Sequence, residues 1–344
     1  MSNKSGLEIS EEFIKGLLWP LLQKELPDVA DRLAVAIVGA GSDVLGLDDP
    51  ISQDHHWGPR ANVMLLPEDK PLLLPRLQKA IDKLPDDFQG FKINKNYRNL
   101  TGVCCMGIND FFHSFLGTDK LPETETDWLR YCEVDLLHVT AGRIVIDGPG
   151  ELTRWRDALA YYPETVWKKR IADWCMYITG RDAPYNLNRM AKRNDRLSSM
   201  IYEAMYYKQV MELCFTLNRQ YAPYTKWLNR LFRQQPRYGP EIAPCLDAIV
   251  QEENLSKKVL KMIEVNYMIA DALAELGLTA KAKRQPFDPG LTDLTLYDNA
   301  LQLYKQLPQE MLGLSFNRIE SWEWAAREVV LSADDYFQER IKNK

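Results

Sequence analysis

The chain has 344 residues, of which 46% are hydrophobic and 26% charged, with 43 basic against 48 acidic side chains and a formal net charge of -5. That make-up excludes a disordered or low-complexity chain, and a length beyond the roughly 250 to 300 residues of a single core suggests two domains or one domain with a large helical annex, with two units as the starting assumption. With no overall basic field, a protein that coats duplex nucleic acid non-specifically is also excluded, leaving only a local basic groove as an option.

The first residues, Met1 to Glu12, are polar and carry Glu8, Glu11 and Glu12 where a secretory signal would have an apolar core, which points to a cytoplasmic protein. Residues 11–32 place Phe13, Leu17, Leu18, Leu21 and Leu22 at helical spacing, with Pro20 or Pro27 as the break. Leu33 to Val38 is a continuous apolar, β-branched run ending in Gly39-Ala40-Gly41-Ser42, the pattern of a buried strand delivering the chain into a tight turn. The longest apolar stretch, Leu33 to Ala40, is far shorter than the ~20 residues a membrane span needs. Further strands are expected at Ala61 to Leu66, Gly90 to Ile93, Val103 to Met106, Val134 to Val139 and Arg143 to Ile146, with a helix over 72–84. After Gly150 the pattern becomes helical, over 151–178, 187–218, 223–233, 241–277, 294–306 and 319–342. The expected class is therefore α+β: a small mixed-sheet domain with an N-terminal helix over 1–150, then an all-helical domain over 151–344, divided near Gly148-Pro149-Gly150. Six cysteines without a Cys-x-x-Cys pair read as reduced, mostly buried thiols.

The most informative stretch follows the first strand and runs from Gly41 to Arg60. Gly41-Ser42 offers a backbone free of bulk and a hydroxyl, which suits close approach to polyphosphate oxygens. Asp54 and His56 lie two apart on the run into the second strand, so strand geometry sends both side chains to one side, where a carboxylate could hold a hard divalent cation. The competing reading is a turn-rich surface loop whose side chains cap backbone groups. His113 and His138 sit in apolar surroundings and read as satisfied, partly buried imidazoles, and the tyrosines and Trp227 between 202 and 227 read first as core.

The same stretch resembles the nucleotidyltransferase superfamily, which includes kanamycin nucleotidyltransferase and DNA polymerase beta. Gly41, Ser42 and Gly46 match its strand-terminal Gly-Ser and following Gly, and Ser52 and Asp54 fall at its Ser and first acid. More closely it resembles an uncharacterised branch, labelled a domain of unknown function, through Gly41-Ser42-Asp43, Leu45-Gly46-Leu47-Asp48, Ser52-Gln53-Asp54-His55 and Trp57-Gly58-Pro59-Arg60. Val139-Thr140-Ala141-Gly142, Leu159-Ala160-Tyr161-Tyr162-Pro163 and Tyr221-Ala222-Pro223-Tyr224-Thr225-Lys226-Trp227 extend the likeness over residues 35–290.

The resemblance implies metal-dependent transfer of a nucleoside monophosphate from a nucleoside triphosphate, with ATP among the candidates, to an acceptor that is a small molecule rather than nucleic acid, and no membrane partner. It assigns Asp54 and His56 to catalysis and to a divalent metal (Mg2+ or Mn2+), and Gly41, Ser42, Arg60, Arg193 and Lys226 to the nucleotide phosphates. Two departures open a second expectation, a nucleotide-binding or regulatory protein that kept the fold with weakened catalysis. His56 stands where the superfamily has its second acid, a ligand better matched to softer metals than Mg2+. The strand expected to carry the third acid, Phe91-Lys92-Ile93-Asn94, has none; Glu133 and Asp135 offer acids on a later expected strand.

Overall fold

The computed structural model describes residues 4–53, 57–95, 102–179, 184–284 and 295–314. It divides into two compact units, residues 1–123 with 135–160 and residues 124–134 with 161–344. The class is α+β: a small mixed sheet in the N-terminal part, then helices.

The first unit opens with helix α1 (Gly6–Phe13), whose Ser5 accepts from the Glu8 N–H while the Glu8 carboxylate takes the Ser5 N–H, a reciprocal cap. A π-helical turn over Ile14–Leu18 joins it to α2 (Trp19–Glu25). Pro20 is the physical reason for that turn: it has no N–H to offer Gly16, so the wider turn absorbs the missing bond and the helical path continues to Glu25, just ahead of Pro27. Strands β1 (Leu33–Ile37) and β2 (Ala61–Leu65) are buried at every residue. They pair antiparallel with Ala36 opposite Asn62. Helix α3 (Lys70–Ile81) and a short hairpin, β3 (Asp87–Phe88) with β4 (Phe91–Lys92), lead to β5 (Val103–Gly107), which runs parallel to β2. Helices α4 (Ile108–Leu116) and α5 (Glu133–Thr140) precede β6 (Arg143–Asp147), which pairs antiparallel with β1, and α6 (Glu151–Ala158) closes the unit. The sheet order is β5-β2-β1-β6. Leu33, Val35, Ile37, Val63 and Leu65 point to one face and meet Phe13, Leu18, Leu22, Leu73, Leu77 and Ile81 in one core. Helices α4 and α6 are joined by the stacked rings of Phe112 and Trp155, 4.3 Å apart.

The segment Val134 to Val139, expected as a strand, is helical. A six-residue apolar run fits a buried strand or a buried helix turn equally well. Here the backbone forms an α-helix over Glu133–Thr140, with Val134, Asp135, Leu136, His138 and Val139 all buried.

The second unit contains α7 (Glu164–Tyr177), α8 (Tyr185–Lys192), α9 (Arg196–Leu217), α10 (Thr225–Phe232), α11 (Gly239–Val250), α12 (Leu255–Glu275), α13 (Thr295–Tyr304) and the short α14 (Gln309–Leu312). The long runs expected over 187–218 and 241–277 are each split by a capped break. Asp195 accepts from the Ser198 N–H at the start of α9, one residue after Asn194 at φ 55°, and Asn254 accepts from the Lys257 N–H at the start of α12. Pro163 separates α6 from α7 where a single run over 151–178 was expected. The expected helix 319–342 lies outside the described residues. Inside this unit Lys169 donates to both oxygens of Asp173 at 2.6 Å, and the Tyr304 hydroxyl donates to the same carboxylate at 2.6 Å, tying α13 to α7. Among the described residues no helix is long and apolar enough to cross a membrane.

Candidate functional site

The antiparallel pairing of β1 and β2 places the end of β1 beside the start of β2, so the Gly41-Ser42 turn and the Trp57–Arg60 segment lie at one end of the sheet. What holds the connection is a buried ion pair. Arg60, 1% exposed, directs Nη1 at both oxygens of Asp43, each at 3.2 Å, and Asp43 is 2% exposed. The same nitrogen donates to the Ala40 carbonyl at 3.2 Å, and Nη2 donates to the Val38 carbonyl at 2.8 Å, where Asn62 Nδ2 also donates at 3.2 Å. Burial pushes the Asp43 carboxyl above its ordinary value, against the opposing pull of the Arg60 guanidinium.

Gly41 is required by this arrangement. Its φ is +143°, and a Cβ there would overlap Asp43 Oδ1 and approach Arg60 Nη1 to 2.9 Å. The turn continues through Gly46 N–H to Asp43 O and Leu47 N–H to Ser42 O. Ser42 is half-buried at its mouth. From the other side, the turn Val139-Thr140-Ala141-Gly142 packs on the end of β1: the Gly39 N–H donates to the His138 carbonyl at 3.1 Å, and a Cβ on Gly142 would collide with the Ile37 carbonyl. Arg156 donates to the Thr140 carbonyl and secures that turn.

Asp48 does not point outward as a free acid. Its Oδ2 accepts from the Gly6 N–H at 2.5 Å and from Trp57 Nε1 at 2.7 Å. Ser52, 6% exposed, has an Oγ with no hydrogen-bond partner among the described residues, and its N–H donates to Asp49. Asp54 and His56 lie outside the described residues. Among the described residues no group of three or more His, Cys, Asp or Glu gathers as a metal site.

Of the residues expected at the nucleotide phosphates, Gly41, Ser42 and Arg60 share this loop, with the Arg60 guanidinium turned inward onto Asp43. In the second unit, Arg193 is the exposed C-cap of α8, and Lys226 is exposed on the first turn of α10 with Nζ 5.0 Å from the Trp227 ring centroid. Glu133 and Asp135, read as acids of one strand, stand on α5 instead, where residues two apart point in nearly opposite directions.

Glu133 belongs to a different arrangement, within the second unit. Its Oε2 is 3.6 Å from Arg170 Nη1 and its Oε1 accepts from the Ala222 N–H at 2.9 Å. Arg170 is fully buried, lies 4.2 Å over the Tyr162 ring, and donates to the Tyr131 carbonyl at 3.3 Å. Tyr161 and Trp167 both donate to the Thr216 carbonyl, and Tyr161, Tyr162 and Tyr221 form one ring cluster. Burial pushes the Glu133 carboxyl up and the Tyr161 and Tyr162 hydroxyls far up. The Tyr-Tyr-Pro and Tyr-Ala-Pro motifs are thus joined in space as a buried polar knot. Sequence reasoning passed over Arg170, and also Asn62 and Ser10 beside the loop; Asn62 was legible as the one amide inside the apolar run Ala61–Leu65.

A family described as a domain of unknown function (DUF4037) matches residues 128–228. Among solved structures, this chain is similar to a nucleotidyltransferase-like protein from Exiguobacterium sibiricum at 10% sequence identity, covering 84% of this chain and 89% of that one, with a TM-score of 0.35. No curated protein matches.

Proposed function

We propose that the protein binds a nucleoside triphosphate at the sheet end formed by β1 and β2 and transfers its nucleoside monophosphate to a small-molecule acceptor. The observation that carries this reading is the β1–β2 register. It brings the Gly41-Ser42 turn to the same sheet end as the segment leading into β2, with the Arg60–Asp43 pair fixing the turn from beneath. Ser42 and the Gly41 backbone would take the terminal phosphates. In the transfer, an acceptor hydroxyl oxygen bonds to the α-phosphorus as the bond from that phosphorus to its bridging oxygen breaks. Pyrophosphate leaves, and the hydroxyl proton passes to a base. Asp54 and His56 are the proposed ligands of a divalent metal, Mg2+ or Mn2+, which would neutralise triphosphate charge there. Arg193 and Lys226 of the second unit are proposed as phosphate-binding groups on the resemblance alone.

A second reading, nucleotide binding with weakened or lost turnover, draws on one specific observation. The strand beside β2 is β5, Val103-Cys104-Cys105-Met106-Gly107, and it carries no acid. The two readings separate in one set of measurements. Calorimetric titration of wild type and Ser42→Trp with nucleoside triphosphate should show weaker binding in the variant, and equal affinity refutes the placement. Pyrophosphate release with a panel of acceptors should be lost in Asp54→Asn. Binding without release in the wild type selects the second reading.

A further inference from the structure

The motif residue Asp48 has no part in the proposed chemistry, yet its carboxylate is occupied at both ends of the loop. One donor, the Gly6 N–H at 2.5 Å, belongs to the first residue of α1; the other, Trp57 Nε1 at 2.7 Å, belongs to the segment leading into β2. The Gly6 N–H is free to do this because the Ser5–Glu8 cap uses other groups, the N–H of Ser5 and the N–H of Glu8. The Trp57 ring is braced edge-on by Phe91 at 5.0 Å. A second anchor lies one turn along α1, where the Ser10 hydroxyl donates to the Gly58 carbonyl at 3.1 Å and accepts from the Arg60 N–H at 3.3 Å. A Cβ on Gly6 would come within 3.0 Å of Asp43 Cβ and 3.1 Å of the Trp57 ring, so the helix start is seated directly on the loop.

We propose that α1 is a strap that sets the geometry of the β1–β2 loop, and that Asp48 is its positioning residue, acting through the Gly6 and Trp57 hydrogen bonds and touching neither nucleotide nor metal. The consequence for nucleotide affinity rests on the function proposed above; the strap itself does not. An amide oxygen can accept both hydrogen bonds that the carboxylate accepts, whereas a metal ligand depends on the charge. Asp48→Asn and Asp48→Ala therefore divide the two roles.

The experiment uses the full chain in two arms. Hydrogen exchange without nucleotide reads the loop: faster exchange over 42–53 and 57–60 in Asp48→Ala, with Asp48→Asn close to wild type, is expected. Titration with ATP and Mn2+ reads the consequence. Asp48→Ala should lose about tenfold in affinity while Asp48→Asn stays within about twofold. Equal losses in both variants would make the charge the active property and overturn the positioning role. Unchanged exchange in Asp48→Ala would overturn the strap. Should Asp48→Ala fail to fold, Trp57→Phe keeps the ring against Phe91 and removes one donor, and faster exchange over 57–60 is then expected. A wild type that binds no ATP defeats the function proposed above, while the exchange arm still decides the strap.

Discussion

Replacing Arg60 with Met removes the cation beneath the loop while keeping much of its apolar stem. The cost follows from what is left behind. Asp43, 2% exposed, becomes a buried carboxylate without its countercharge, and the Ala40 carbonyl loses its donor. The Val38 carbonyl keeps Asn62, so it adds little. Breaking a buried pair by removing one partner costs about 3–5 kcal/mol, a fifth or more of the stability of an ordinary domain. The double variant Arg60→Met/Asp43→Leu should recover most of that, because no charge stays buried.

The pH dependence has a definite sign. Burial already raises the Asp43 carboxyl, and without Arg60 the largest opposing influence is gone, leaving only backbone N–H bonds at Val44 and Asp43 itself. The folded variant then holds the proton more tightly than the unfolded chain does. Its stability is favoured at acid pH and is lost as pH rises from the ordinary carboxylate range through the raised value. The deficit against wild type should accordingly be largest near neutrality and shrink toward pH 4. Native-state hydrogen exchange across β1 and β2 at increasing urea reads the first unit by itself. A deficit below about 1 kcal/mol, or one that does not change with pH, would refute the reasoning.

Gly41→Ala should disrupt the loop through overlap with Asp43, whereas Gly46→Ala, at φ +68° with no atom within 4 Å of the new methyl, should cost only about 1 kcal/mol of backbone strain; melting temperatures of the two compare them directly. Burial holds the His138 imidazole down to about 3, so the unfolded chain takes up a proton below its ordinary range before the folded one does. Stability should fall by up to about 1.4 kcal/mol per pH unit as pH drops below the unfolded pKa, and His138→Phe, packed on Phe115, should flatten that slope in urea titrations at several pH values. Glu133→Gln keeps an acceptor for the Ala222 N–H and strands Arg170 without its counterion. The expected loss is about 3 kcal/mol, the low end for a broken buried pair because Tyr162 still lies under the guanidinium, and exchange protection in α7 measures it.

Strands β1, β2, β5 and β6 were legible because each is a short apolar run bounded by turn residues. Their order was not, since pairing β1 with both β2 and β6 depends on contacts far apart in the chain. The sheet's parallel edge, β5 on β2, could be placed only once α3 and the β3–β4 hairpin were known to intervene. Segment 134–139 misled because Val134-Asp135-Leu136-Leu137-His138-Val139 satisfies a strand and a helix turn alike, and the burial of Val134, Asp135, Leu136, His138 and Val139 follows neither period cleanly. The breaks at Asn194-Asp195 and Asn254 carried ordinary N-cap signals that long helical periodicity concealed. That residues 124–134 join the second unit has no local signal at all.

At the loop, residue type and residue role come apart. Arg60, which the resemblance assigns to the phosphates, and Asp48, a residue of the same motif stretch, are both engaged by the protein: Arg60 by Asp43 and two carbonyls, Asp48 by Gly6 and Trp57. A loop that brings a polyanion close to its backbone must be rigid before the ligand arrives, or ordering it would consume the binding energy. Buried charge pairs and a carboxylate at a helix start supply that rigidity from beneath and behind. On that logic the density of charge between Gly41 and Arg60 marks two populations. One is internal and fixes the chain; the other, proposed to include Ser42, Asp54 and His56, would face the ligand. Asp48→Asn and Asp54→Asn remove the same charge six residues apart, and they should differ in kind: the first nearly silent toward ATP and Mn2+, the second abolishing any pyrophosphate release.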